Sequence, residues 1–319
     1  MKTSLLLGSI LCLFCLSRAR DIKMGIFLPF TGSWPGGPKM ASAILIAMDK
    51  VNNDIYWLQG HNLTYLVKDS KCEARSSLAI LVDYYTVESP KVDVFIGPGC
   101  SVACIPGAYI AEHWNIPMIS WGCTASVLSD KTLYPYFVRT AGTYTGLGEL
   151  LRAFLDQYKW DRIGIMASTE TVFSETGNSA KVTLEKDNKF QVPFFGSFDP
   201  GATDLYKLKS MVRSMATKAR VFMLLCYGDA MRRLMLIFSE LGLLNGEYVV
   251  VALETLPASC EAGDSRDEEA CRAFEGIIDV SQYIPDSQAY EDFTTSVYNR
   301  MPEMNYSMNA PNEASVPIL

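Results

Sequence analysis

Residues 93–139 read DVFIGPGCSVACIPGAYIAEHWNIPMISWGCTASVLSDKTLYPYFVR, and this stretch decides the fold. The apolar run 92–96 is stopped by Gly97-Pro98-Gly99, which is strand-then-turn punctuation. A helix is expected over 105–114, Asn115-Ile116-Pro117 breaks it, and the next strand begins at 118–120. Strand, helix and strand in that order form a βαβ unit, which requires a parallel pair and a right-handed crossover. The connections at the strand ends are rich in small polar residues: Gly99, Cys100 and Ser101, then Ser120, Gly122, Cys123, Thr124 and Ser126. In open α/β sheets ligands bind outside the carboxyl ends of the strands, so these loops are candidate ligand holders.

Working outward, the same alternation continues on both sides. Towards the N-terminus there is a strand at 24–30, a Gly/Pro-rich loop at 31–38, a helix at 39–53, a strand at 63–67 and a helix at 76–87. The loop segment GSWPGGPK fails as a phosphate loop, because its Lys is displaced and no Ser or Thr follows it. Near 140–145 small residues suit a crossing into a second lobe. Beyond it the pattern predicts helices at 148–158, 172–187, 203–217, 229–241 and 288–299, and strands at 162–167, 193–198, 221–226, 248–253 and 277–280. Residues 261–272 read as a charged loop inserted between Cys260 and Cys271.

The expected fold class is α/β, with two doubly wound lobes, the second lobe and the return to the first being incomplete. The expected division is a secretory signal at 1–20, a first lobe at 21–141, a second lobe at 142–310 and a truncated tail at 311–319. The signal reading rests on Lys2 followed by an apolar core at 5–16, too short for the roughly 20 residues a membrane-spanning helix needs.

A net charge of −7 and a pI near 5.0 argue against a nucleic-acid binder, which would carry a basic patch. Of nine cysteines, Cys12 and Cys15 leave with the signal, and in a secreted chain most of the other seven should pair. Cys104 with Cys123 joins adjacent connections of one βαβ unit, and Cys260 with Cys271 closes the short charged loop. A zinc site from Cys72, Cys100, Cys104 and Cys123 is the rival reading, disfavoured by an oxidising compartment and a lack of adjacent histidine other than His113. Asn62 and Asn305 head glycosylation tripeptides. His61 and His113 are the only histidines, and there is no nucleophile elbow, metal-binding His pair or dinucleotide glycine signature. No catalysis by this chain is expected, which leaves a secreted α/β enzyme as a disfavoured rival.

The segments FIGPGCS (95–101), AEHWNIPMISWGCTASVLSDK (111–131) and YPYFVRT (134–140) resemble the extracellular ligand-binding region of receptor guanylyl cyclases and natriuretic-peptide receptors. The resemblance continues more weakly from about residue 23 onward. It implies the type I periplasmic-binding-protein fold and a homodimer formed through first-lobe helices, here 76–87 and 105–114. The ligand would be an extracellular peptide or small molecule. The full-length protein would be a guanylate cyclase that crosses the plasma membrane; if the chain truly stops at Leu319 it would be secreted.

The resemblance also implies a disulfide between Cys72 and Cys100. It implies a chloride ion held by the Ser70 hydroxyl and the backbone N–H groups of Gly99 and Cys100. Consecutive N–H groups in a Gly-containing turn form an anion nest, though the same turn also serves as a plain reversal. The family's partner for Cys226 is missing here, so a buried free thiol is expected.

Ser101, Ser120, Thr124 and Ser126 are similar to the loop residues with which class C receptors hold an amino-acid carboxylate. Ser101, Trp121, Thr124, Tyr144 and Phe173 are the expected cleft residues, with Trp34 as a further aromatic. Aromatics at these places either bind a ligand or fill the interface. An amino acid would also need an acid from the second lobe, and hinge residues 142–144 supply none. A class C-type or free amino-acid-binding protein is therefore an alternative, as is a non-signalling clearance or decoy ectodomain.

Overall fold

A computed structural model describes residues 20–304 apart from positions 33, 55, 59, 187, 203, 254–259, 261 and 282. The signal segment, the tail at 311–319 and Asn305 lie outside the described residues.

The first lobe is built from β1 (Ile22–Leu28), α1 (Gly37–Asn53), β2 (Leu63–Asp69), α2 (Ala74–Thr86), β3 (Val94–Ile96), α3 (Ser101–His113), β4 (Met118–Ser120) and β5 (Phe137–Arg139). All pairings are parallel and the strand order is β2-β1-β3-β4-β5, a doubly wound sheet. Side chains of β1 alternate between two cores, as the two-residue period of a strand demands. Met24, Ile26 and Leu28 pack with Met40 and Ala41 of α1, whereas Phe27 packs with Leu81 of α2 and Ala108 of α3. Gly25 faces the second of these cores. A Cβ there would stand 2.7 Å from the Tyr84 ring, so glycine lets α2 close on the strand.

Helix α3 begins four residues before the expected 105, directly after Cys100. Cys100 is extended and its carbonyl accepts from Ala103 and Cys104, both at 3.0 Å, so the first turn is organised at the half-cystine. Pro106 stands inside the helix.

The second lobe contains α4 (Leu147–Gln157), β6 (Arg162–Ser168), α5 (Thr171–Glu185), β7 (Gln191–Phe198), α6 (Leu205–Ala216), β8 (Val221–Leu225), α7 (Gly228–Glu240), β9 (Val249–Leu253), α8 (Asp267–Phe274) and β10 (Ile277–Val280). Its parallel order is β10-β9-β8-β6-β7. The central strand β8 is buried at every position, the continuous apolar run expected where helices cover both faces.

Two expectations about the chain's later part need correction. The charged stretch 261–272 is not all loop, because its second half forms α8. Ala270 and Ala273 of that helix are buried, and Asp267, Glu268 and Glu269 suit the positive end of its dipole. The last helix, α9 (Gln288–Arg300), was expected within a second lobe running to 310, but it packs on α1 of the first lobe. Arg300 bonds Asp49, Lys39 lies 5.2 Å from the Tyr298 ring centroid, and Val297 and Met301 are buried. The chain has therefore already returned to the first lobe by Gln288. The result is a two-lobed arrangement like that of type I periplasmic-binding proteins.

Candidate functional site

The first-lobe side of the site is made where β1 to β4 end. Gly97 has a φ of +104°, and a Cβ on it would stand 2.3 Å from the Phe27 carbonyl, so only glycine makes this turn. The turn is tied to the next connection by Ser120 Oγ donating to the Pro98 carbonyl at 2.7 Å and Cys123 N donating to the Gly99 carbonyl at 2.9 Å. All three expected disulfides form: Cys72–Cys100, Cys104–Cys123 and Cys260–Cys271, with Cα separations of 5.4, 6.2 and 4.7 Å. These bonds consume the four thiols of the zinc reading. Cys226 is free and buried, and burial pushes its thiol well above the usual range.

Ser70 lies two residues from Cys72, whose disulfide brings the 70–72 turn against Gly99 and Cys100. Its hydroxyl is fully buried and has no partner among the described residues. Nor, among the described residues, do the Gly99 and Cys100 N–H groups donate to a protein acceptor. A buried hydroxyl and two backbone donors, on segments joined by one disulfide and all without protein partners among the described residues, are chemically suited to an anion, because each such group left unpaired would cost about 1–3 kcal/mol. Trp34 and Trp121 crowd Gly99, where a Cβ would stand 2.5 and 3.0 Å from their rings. The indole N–H of Trp121 is a further buried donor without a partner among the described residues.

Asp69 is an organising residue that the sequence reading passed over. Its carboxylate accepts from Phe30 N and Lys71 N, both at 2.9 Å, and from Thr31 Oγ1 at 2.6 Å. These bonds hold the 30–31 loop against a turn in which both Lys71 and Cys72 take positive φ. An Asp that ends a strand just before Ser and Cys was the available signal.

The expected cleft residues divide. Ser101 is buried, and its hydroxyl accepts from Ala125 N at 3.1 Å, so it builds the loop rather than presenting itself to a ligand. Ser120 is spent in the same way. Thr124 is buried, whereas Trp121 and Tyr144 are half-buried. Phe173 was expected to line the cleft but is 5% exposed, in the second-lobe core, edge-on to Tyr227 at 4.7 Å. Its place in the first turn of α5 turns it towards β6 and β8 instead of outward.

Two acids missed in the sequence come from the second lobe. Glu170 precedes α5 and accepts from Ser168 Oγ at 2.6 Å; burial raises its carboxyl, with Asp199 adding to the effect. Glu175 reaches the first lobe, accepting from Ser126 N at 2.8 Å and Ser126 Oγ at 3.0 Å. Arg139 stiffens the Ser126 loop by donating to the carbonyls of Cys123 and Ala125, both at 2.8 Å. Burial lowers the Arg139 guanidinium, and Glu175 nearby pulls it back up.

Elsewhere the chemistry is sparse. His61 is at the surface, its Nδ1 against the Arg20 backbone. Among the described residues there is no cluster able to hold a metal ion and no helix long and apolar enough to cross a membrane. Asn62 is exposed at the start of β2. A groove of about 560 Å³, lined by Ile46, Asp49, Lys50, Tyr56 and Arg300 among others, lies at the C-terminal half of α1, the opposite edge of the sheet from the strand ends.

Comparison with known proteins agrees with this architecture. Residues 39–315 match the family described as the receptor family ligand binding region. The chain is 27% identical over 240 residues to atrial natriuretic peptide receptor 3 of Rattus norvegicus, covering 72% of this chain and 44% of that protein. It is 25% identical over 318 residues to guanylate cyclase 2G of the same species, covering 96% and 28%. Gamma-aminobutyric acid type B receptor subunit 1 of Mus musculus is 26% identical over 182 residues, covering 57% and 19%. The chain thus spans less than half the length of these curated relatives. With two parallel-sheet lobes and a match across most of its length, the chain belongs to the receptor ligand-binding-region family.

Proposed function

We propose that this chain is the extracellular ligand-binding region of a membrane receptor guanylyl cyclase. Binding between the lobes would favour one lobe arrangement, rearrange a homodimer and so control cGMP synthesis by a cyclase domain elsewhere in the full-length protein. One observation carries the reading: two parallel sheets join through the 140–146 segment, and Ser126 of one lobe meets Glu175 of the other. The natriuretic-peptide and guanylate cyclase relatives support the receptor class. Exposed Val82, Val87 and Tyr109 on or beside α2 and α3 support the dimer surface. The unpartnered Ser70 hydroxyl supports a chloride ion held with Gly99 and Cys100.

The test joins this region to a membrane anchor and cyclase domain and measures cGMP during titration with natriuretic peptides and a panel of small extracellular ligands. A ligand-dependent change in cGMP supports the reading. Binding by the isolated chain with no cyclase response in the fusion favours a clearance or decoy ectodomain. Amino-acid binding is the second reading, favoured by the Gamma-aminobutyric acid receptor relative and by the second-lobe acids Glu170 and Glu175. Against it, the Ser101 and Ser120 hydroxyls are already bonded within their own loops. Calorimetry with a panel of amino acids tests this second reading: tight binding supports it, and no binding removes it.

A further inference from the structure

We propose that Glu175 is an interlobe latch, a second-lobe carboxylate bound by the first lobe that holds the two lobes together when no ligand lies between them. The contact has the chemistry of a bound carboxylate rather than of a chance surface pair. Glu175 accepts from both donors of one residue, the Ser126 N–H at 2.8 Å and its hydroxyl at 3.0 Å. Both residues are half-buried. The receiving loop is fixed from behind, since Arg139 holds the Cys123 and Ala125 carbonyls and Ser101 Oγ holds Ala125 N. On the other side Glu175 is carried by α5, whose neighbour Ser179 donates from its hydroxyl to the Thr145 carbonyl in the interlobe segment at 3.3 Å. The carboxylate and its receptor are therefore both mounted on rigid supports, and separating the lobes must break both bonds at once. Hydrogen bonds to a charged acceptor are the strong ones, so breaking them biases an open–closed equilibrium measurably.

The consequence for ligand response rests on the ligand-binding reading above, but the latch is tested without any ligand. Amide hydrogen exchange of the segment holding Ser126 and small-angle X-ray scattering are measured on the full chain as wild type, E175A, E175Q and S126A. The latch predicts exchange about tenfold faster in E175A, on the scale of one charge-assisted hydrogen bond, with a larger radius of gyration. Segments of β1 and β8 should exchange as in wild type. E175Q, which keeps an acceptor oxygen, should fall between wild type and E175A, and S126A should retain part of the protection through its N–H. Unchanged scattering and exchange in E175A overturn the proposal, as does faster exchange with unchanged scattering, which would make the contact purely local. If E175A does not fold, E175Q and S126A decide by the same two readouts. A chain that passes this test and raises no cGMP in the fusion has a latch but not the proposed function.

Discussion

The Tyr84 hydroxyl donates to the Ile26 carbonyl at 2.6 Å, pinning α2 to β1 of the first lobe through the space left by Gly25. Burial, with Glu88 and Asp83 nearby, pushes the phenol far above its ordinary range. Two substitutions read this joint. Tyr84→Phe should cost about 0.5–1.5 kcal/mol, the net worth of one hydrogen bond. Gly25→Ala forces a methyl against the ring and should cost about 1–3 kcal/mol, the range for overpacking. Urea unfolding measures both, and Gly25→Ala should be the worse of the two.

Ser70 gives a test whose sign depends on the salt. Its hydroxyl bonds nothing among the described residues, so in halide-free buffer Ser70→Ala removes an unpaired buried donor and should raise stability by up to about 1–3 kcal/mol. Wild type should gain thermal stability when chloride replaces a non-halide salt at equal ionic strength, and Ser70→Ala should lose that gain. A melting temperature in wild type that ignores chloride would remove the ion from the site.

The Cys72–Cys100 bond closes a span of 28 residues across two strand ends. Replacing both cysteines with serine should cost about 3–4 kcal/mol by loop-closure entropy. It should also weaken any halide response, because it frees the Ser70 turn from Gly99. Thermal denaturation of the double variant with and without chloride checks both effects.

Glu170 sets a pH dependence. Burial raises its carboxyl in the folded protein, so the folded state favours the protonated acid. Stability from this group is fully present below the unfolded carboxylate range and declines as pH rises through the folded value. Glu170→Gln removes the titration and keeps an oxygen for Ser168. It should be more stable than wild type at neutral pH and equal to it in acid, as read from urea midpoints across the carboxylate range.

Much of the fold was legible because its punctuation is local. Gly97-Pro98-Gly99 and Asn115-Ile116-Pro117 mark the ends of β3 and α3 with residues whose backbone preferences are strong. The alternation of apolar runs and helical segments yields both sheets. Helix α8 was missed because its eight residues begin with three acids, which from sequence alone look like a solvated loop. The placement of α9 was not legible because an amphipathic period marks a buried face without naming the lobe that buries it. The site was legible only in part. Disulfide partners and Ser70 follow from strand ends and resemblance, but the Glu175–Ser126 contact joins residues 49 apart in different lobes. Phe173 misled for a similar reason, since its direction is set by how α5 rolls on β6 and β8.

The packing of α9 on α1 makes the first lobe discontinuous in the chain, whereas the second runs without interruption from α4 to β10. A ribosome therefore delivers every strand of the second lobe before it delivers the helix that covers the outer face of the first. Until Arg300 is made, Asp49 lacks its partner and the Lys39 end of α1 faces water. Of the two lobes, the one whose strands are made first is thus the later to be completed.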